Sequence, residues 1–235
     1  MALDEALSTL QNCQKPILPN SVVLTFDDGD RSYAGNALPI LRDFQYPRTE
    51  FIIGKLSLSS KGDYLSWPEI SELAKDPLVT FHSHTFNAHA AIQAKGKFYF
   101  ETDPMYLPKE HHVESESDYS HRILDDFKHE QALFEKHLGQ SDNTIALPYG
   151  HAAQSFISLG KTSSYSYVLT QDRTQANPYN GDPTHIYRLD VGNIITNTNR
   201  LSCLLKGLTS SGPLHSIFWL RVKFSQILFT LSPKF

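Results

Sequence analysis

Apolar and polar positions along the chain fall into short buried runs that alternate with longer amphipathic ones. Residues 22–26 are a run of apolar and β-branched residues between Pro19-Asn20 and Asp27-Asp28-Gly29, which predicts a buried strand. Residues 32–44 place Ala34, Leu38, Leu41 and Phe44 at roughly helical spacing, with Pro39 either kinking that helix or sitting near its start. Residues 49–53, closed by Gly54, form the next predicted strand. A helix opens at Ser66-Trp67-Pro68-Glu69 and runs to about Lys75. Ser66 can cap it, Pro68 suits a first turn, and Glu69 stands three residues beyond the cap. Residues 78–81 give a third strand that leads into a group of histidines. The order β-α-β-α-β is the signature of a parallel sheet or barrel.

The rhythm breaks after residue 90. Residues 90–118 mix Phe98, Tyr99, Phe100, Pro104, Tyr106 and Pro108 with charges, without clear periodicity, and read as a long insertion or loop. Loops of that length are uncommon unless functional or mobile. Residues 118–138 carry the strongest helical pattern, a stripe of Ile123, Phe127, Leu133, Phe134 and Leu138 closed by Gly139. Strands are predicted at 144–147, ending in Pro148-Tyr149-Gly150, and at 165–170 and 186–189. Residues 1–14 read as a short amphipathic helix with acids. They do not form a basic segment followed by an apolar run, so no export signal is expected. Residues 217–231 are the most apolar stretch, but Arg221, Lys223, Ser225 and Gln226 interrupt it, which suits a core or interfacial helix. No stretch reaches the ~18–20 apolar residues of a transmembrane helix.

Composition narrows the class only a little. The 235 residues are 40% hydrophobic and 20% charged, ordinary for a globular chain that buries a core. A formal net charge of −4 with no basic run beside aromatic platforms argues against nucleic acid as a partner. Cys13 and Cys203 are too few for a disulfide framework or a cysteine-rich zinc site, and both are read as free or structural. Histidine is plentiful, with 11 residues, and it clusters at His82, His84 and His89 and again at His111 and His112.

Two clusters carry chemistry. Asp27-Asp28-Gly29 follows the first strand, at the end where α/β folds place ligand sites. Adjacent residues on an extended strand point opposite ways, so a turn is needed to bring both carboxylates to one site. Alone, the tripeptide reads as an Asp-Gly turn capping the next helix. His84 and His89 stand five apart just after a strand, a spacing that lets a turn fold both imidazoles onto one cation. Alone, they are equally well two unrelated loop histidines. His82 is expected to face away from that pair and to be structural. Together, two histidines and one aspartate leave coordination positions open, as catalytic rather than structural sites do. A cation in such a set polarises a carbonyl and acidifies water, and the spare carboxylate is a ready general base.

Thr25-Phe26-Asp27-Asp28-Gly29, then Ser83-His84-Thr85 with His89, then Pro148-Tyr149-Gly150 resembles the motif series of the polysaccharide deacetylases (NodB-homology, carbohydrate esterase family 4) over roughly residues 15–195. The five-residue histidine spacing is similar to the biofilm branch that deacetylates poly-β-1,6-N-acetylglucosamine. The resemblance implies a distorted (β/α) barrel of about seven strands. It assigns Asp27 as base, Asp28, His84 and His89 as metal ligands, and Pro148 and Tyr149 as one wall of the substrate groove, with the Tyr149 backbone N–H aiding the oxyanion. It implies a divalent metal, zinc first, with cobalt, nickel or iron also accepted by this ligand set. It further implies an N-acetylglucosamine polysaccharide as the partner, a monomer, and work at the cell surface, outside the cell or in the periplasm.

The family pattern is incomplete here. The Arg that often precedes Pro-Tyr is replaced by Asn143-Thr144-Ile145-Ala146, so Asp27 lacks the residue that orients the base in other branches. The late Leu-x-His motif, source of a general acid, has no clear counterpart: 186–190 holds no histidine beyond its strand, and His215 reads as a surface or helix-start residue. On this reading 1–14 is a helical segment, 15–195 the catalytic domain, and 196–235 a barrel-closing or atypical end. Two alternatives stay open: a glycan-binding deacetylase-like module with little turnover, and a deacetylase of peptidoglycan or chitin oligomers.

Overall fold

A computed structural model of the chain describes residues 1–12, 21–59, 62–171, 177, 180–191, 197–199 and 201–202. Cys13, Pro19, Asn20, Cys203, His215, residues 217–231 and most of the C-terminal segment lie outside the described residues. The chain divides into two compact units, one of Met1–Gln171 with Pro178–Ile186, the other of Asp172–Asn177 with Tyr187–Phe235. In the second unit the Asn177 amide exchanges two hydrogen bonds with the Tyr187 backbone, at 2.7 and 2.9 Å.

In the first unit α1 spans Leu3–Leu10 and β1 spans Thr25–Phe26. Next come a π-helical turn at Tyr33–Ala37, α2 at Leu38–Asp43, β2 at Arg48–Ile52, α3 at Trp67–Leu73 and β3 at Val79–Ser83. After β3 stand two hairpins, β4 (Ala91–Ala94) with β5 (Lys97–Phe100), and β6 (Tyr106–Leu107) with β7 (His112–Val113). Then follow α4 (Glu116–Leu138), β8 (Thr144–Ala146), α5 (Gln154–Ser163), β9 (Tyr167–Gln171) and, at the unit's last residue, the start of β10 (Ile186–Arg188). The main sheet has the order β1-β2-β3-β8-β9-β10, and its β1-β2, β2-β3, β3-β8 and β8-β9 pairs are parallel. This is the parallel sheet with crossover helices of a (β/α) barrel, with six strands among the described residues rather than about seven.

The helix starts obey local chemistry. The Glu69 carboxylate accepts from the Ser66 N–H at 2.8 Å and opens α3. Ser115 Oγ accepts from the Asp118 N–H and opens α4, and Gly139 at φ 73° closes it. Pro39 lies where the π-helical turn passes into α2, so the helical run bends its register there and does not end.

One face of the sheet packs on the helices. Phe26, Ile52 and Phe81 meet Leu38, Trp67, Ile70 and Phe134, while Ile145 and Val168 meet Ile123, Phe127, Phe156 and Tyr165. The other face is covered by α1, whose Leu3, Leu7 and Leu10 pack on Phe51, Ala146, Leu169 and Ile186. The spacing of those leucines, three and four apart, is the helical stripe expected of an amphipathic segment.

Two sequence expectations need correction, and one helix was not expected. The predicted strand at 22–26 shortens to Thr25–Phe26, and Val22 is 46% exposed. An apolar run gives no periodicity to mark where pairing begins. The predicted loop at 90–118 is two hairpins, whose short strands are half exposed and lack a core-facing alternation. Helix α5 escaped the pattern reading, although Phe156, Ile157 and Gly160 give it a buried stripe.

Candidate functional site

Strands β1, β3 and β8 all end at one edge of the parallel sheet, and the three motifs lie in the turns just beyond them. Asp28 and Gly29 both adopt left-handed conformations, with φ of 76° and 74°. That turn solves the alternation problem: Asp27 Oδ2 lies 3.9 Å and Asp28 Oδ1 3.4 Å from the same His84 Nε2. Asp28 Oδ1 also lies 3.1 Å from His89 Nε2. Thr85, directly after His84, and Tyr149, inside Pro148–Gly150, are left-handed as well, with φ of 76° and 57°. A non-glycine residue in that region costs on the order of 1–3 kcal/mol, and such strain gathers at functional sites.

The site's acid–base state follows from its partners. His84 Nδ1 stands 2.8 Å from the Ala146 carbonyl oxygen, which only accepts, so Nδ1 carries a proton and Nε2 is the nitrogen that faces Asp28. The hydrogen bond from His89 holds the Asp28 carboxyl below its usual value, against burial, and both imidazoles add attraction. One potential ligand atom from each of Asp28, His84 and His89 lies within 4.8 Å of the others. Two imidazole nitrogens and a carboxylate oxygen so placed can hold a divalent cation with coordination positions left open.

Beneath the site lies a layer of acids that the sequence reading missed. Asp126 and Glu130 interrupt the apolar stripe of α4, between Ile123 and Phe134, and both are buried. Asp126 accepts from the Phe86 N–H at 2.9 Å and the Asn87 N–H at 2.8 Å, so it clamps the loop between the two histidines. Burial nevertheless pushes its carboxyl up to about 6. Burial holds Glu130 well above its ordinary value, with Asp126 and Asp142 adding to the effect. A Cβ on Gly54, two residues past β2, would stand 1.8 Å from Glu130 Oε2, so any larger residue there would have to displace the buried Glu130 carboxyl. Glu50, on β2, accepts from the Gly29 N–H at 3.0 Å and so braces the Asp27-Asp28-Gly29 turn. Acids inside a core-facing stripe are the sequence signal that would have pointed to this layer.

The other expected residues fall into place unequally. Tyr149 is half exposed, its ring 5.2 Å from that of His89, and its hydroxyl donates to the His89 carbonyl at 3.1 Å. Pro148 is buried beside it. His82 is structural, but the expected facing was wrong. Residues two apart return to the same side of a strand, and Phe51 lies near both His82 and His84. What separates His82 from the site is its pairing with Asp142 at 2.7 Å and Asp4 at 3.2 Å.

Comparison with known proteins agrees with this geometry. The poly-β-1,6-N-acetyl-D-glucosamine N-deacetylase of Escherichia coli (strain K12) is 29% identical over 182 residues, covering 69% of this chain and 27% of that protein. The Staphylococcus epidermidis protein of the same name is 27% identical over 177 residues, covering 74% of this chain and 55% of that one. The chain thus spans only about a quarter to a half of the length of these curated relatives. Among solved structures, a deacetylase domain from Bordetella bronchiseptica matches with a TM-score of 0.71 at 23% identity, over 80% of this chain and 77% of that one. A de-N-acetylase from Aggregatibacter actinomycetemcomitans matches with a TM-score of 0.75 at 20% identity, over 87% and 82%. At such identities these two likenesses speak for the fold. Residues 14–168 match the family model described as polysaccharide deacetylase, and the chain belongs to that family.

Proposed function

We propose that this chain hydrolyses N-acetyl groups of a β-linked N-acetylglucosamine polysaccharide, poly-β-1,6-N-acetylglucosamine first, releasing acetate. The observation that carries the reading is the convergence of Asp28, His84 and His89 beside a second carboxylate, Asp27. Asp28, His84 and His89 are assigned as ligands of a divalent cation, zinc first. Such a cation, when bound, supplies Lewis-acid polarisation of the acetyl carbonyl.

The remaining work falls to the chain. Asp27, 26% exposed and next to the ligand aspartate, takes the proton of the attacking water. The Tyr149 backbone N–H is assigned to the developing oxyanion, and Pro148 and Tyr149 to the wall that holds the sugar. The C–N bond then breaks, acetate departs, and the amine nitrogen takes up a proton. The relatives named as poly-β-1,6-N-acetyl-D-glucosamine N-deacetylases support the choice of glycan. On this reading the chain works at the cell surface, outside the cell or in the periplasm, where such a glycan is met; no helix among the described residues is long and apolar enough to cross a membrane.

Acetate release from β-1,6-linked oligomers, chitin oligomers and peptidoglycan tests the proposal. Activity should vanish with a chelator, return with zinc, and be greatest on the β-1,6-linked substrate. Asp27→Asn should lower kcat by about 100- to 10,000-fold with metal content unchanged. Turnover indifferent to the chelator, or to Asp27→Asn, would sink the mechanism. Tight glycan binding without acetate release would leave a binding module instead.

A further inference from the structure

The inserted hairpin of β4 and β5 is not used by the chemistry above, yet its aromatic side chains adjoin the site. The Phe100 ring lies 5.2 Å from that of Tyr149 and 5.4 Å from that of His151. Tyr149 in turn lies 5.2 Å from His89. A row of rings therefore runs outward from a candidate metal ligand. Phe98, two residues before Phe100 on β5, shares its face and is 57% exposed. Tyr99 points to the opposite face and meets Tyr106 at 5.6 Å.

The platform is anchored. Ala90 and Glu101 exchange hydrogen bonds at the base of the hairpin: the Glu101 N–H donates to the Ala90 carbonyl at 3.0 Å, and the Ala90 N–H to Glu101 Oε2 at 2.7 Å. Arg122 Nη1 donates to the Glu101 carbonyl at 2.7 Å, and the Tyr119 hydroxyl to the Thr102 carbonyl at 2.9 Å. Thr102 Oγ1 donates to the His151 carbonyl at 3.0 Å. Helix α4 and the segment after Gly150 thus fix the Phe100 end of the row. An anchored, half-exposed aromatic face loses little freedom when a ligand covers it.

We propose that Phe98 and Phe100 form a stacking subsite for a pyranose ring of the glycan, next along the chain from the sugar at the Asp28–His84–His89 cluster. In a β-linked N-acetylglucosamine unit every ring substituent is equatorial. Its two faces present only axial C–H groups, while hydroxyls and the acetamide lie around the edge. An aromatic ring offers such a face a large apolar area and a negative quadrupole toward its C–H groups. The subsite selects a polymer over a single sugar and rests on the reading of the chain as a glycan deacetylase.

The test measures binding of β-1,6-linked N-acetylglucosamine dimer and hexamer by calorimetry, in an Asp27→Asn background that preserves the ligand. Phe100→Leu, which keeps apolar bulk but removes the ring, should weaken the hexamer by about tenfold, and Phe100→Tyr should retain it. The dimer should respond much less. Phe98→Ala, at an exposed position and with an unchanged thermal melt as the check on folding, should weaken the hexamer by about threefold. Equal hexamer affinity in the parent, Phe100→Leu and Phe98→Ala overturns the proposal, as does a parent that does not bind the hexamer. Acetate release by the unmutated chain is scored separately. Its absence alongside ring-dependent binding would defeat the deacetylase reading and leave the subsite standing. Its presence without ring dependence would do the reverse.

Discussion

His82 and His84 are two residues apart, lie on the same side of the sheet, and sit in opposite surroundings. His82 is closed: Asp142 and Asp4 face its two ring nitrogens. Burial works against its charge, but the two carboxylates outweigh it and raise the imidazole to about 10, so the ring is a fixed cation that ties α1 and the start of β8 to β3. His84 is open: a backbone carbonyl holds one nitrogen, and the other turns toward Asp28 and His89. A histidine with both nitrogens facing protein carboxylates has nothing left for a ligand. One with a single fixed N–H has its lone pair aimed, which is how a protein prepares a metal ligand.

The sharpest way to break this contrast is to remove each ring in turn. His84→Ala should abolish zinc binding and lower acetate release by at least about 1,000-fold with the fold kept, since the transition-state charge loses its electrostatic partner. His82→Ala should do the opposite. It should cost about 2–4 kcal/mol of stability by stranding the buried Asp142 carboxylate, softened because Asp142 keeps the Ser83 and Thr144 N–H groups. Its folded fraction should still bind one zinc. Denaturant melts and metal analysis on both variants decide the matter. Zinc loss in His82→Ala at full fold would erase the distinction.

The contrast also shows what the sequence could reveal. Asp28, His84 and His89 were legible because each motif is local, and because ligand chemistry admits few residue types. The β-α-β order through residue 83 was legible for a similar reason: period and caps are local signals. His82 was read correctly as structural on a faulty geometric reason, since its partners Asp4 and Asp142 are remote in sequence. Asp126 and Glu50 act through backbone groups brought near only by folding; the break in the apolar stripe marks Asp126 and Glu130 as buried acids but does not say what they hold. The hairpins stayed hidden because they bury little, so alternation never formed.

Asp126 extends the comparison from the rings to the loop that carries them. Its two oxygens accept from consecutive N–H groups between His84 and His89. Asp126→Ala should leave both ligands present yet loosen their spacing, weakening zinc by about 10- to 100-fold, as outer-shell losses do. Competition against a chelator of known affinity measures this. Unchanged affinity would mean that the loop holds its shape without the clamp.

The smallest expected effect concerns Glu50, the neutral counterpart of ionised Asp28. Burial pushes the Glu50 carboxyl up to about 9, the nearby Asp27, Asp28 and Asp30 carboxylates add to this, and the Gly29 N–H opposes it. In the unfolded chain the group ionises near 4.5. The folded chain therefore keeps a proton that the unfolded chain sheds. Its contribution to stability is complete below pH 4.5 and is lost as pH rises toward 9. Glu50→Gln retains an acceptor for the Gly29 N–H and never ionises. Metal-free Glu50→Gln should match the parent chain at pH 4.5. Above that pH it should exceed the parent by a margin that widens steadily up to about pH 8, because each pKa unit carries about 1.4 kcal/mol. Denaturant melts across that range read the difference directly. A gap independent of pH would mean that Glu50 is ionised beneath the site. The turn would then be braced by a charge, and Asp27 and Asp28 would face a third negative group rather than a neutral one.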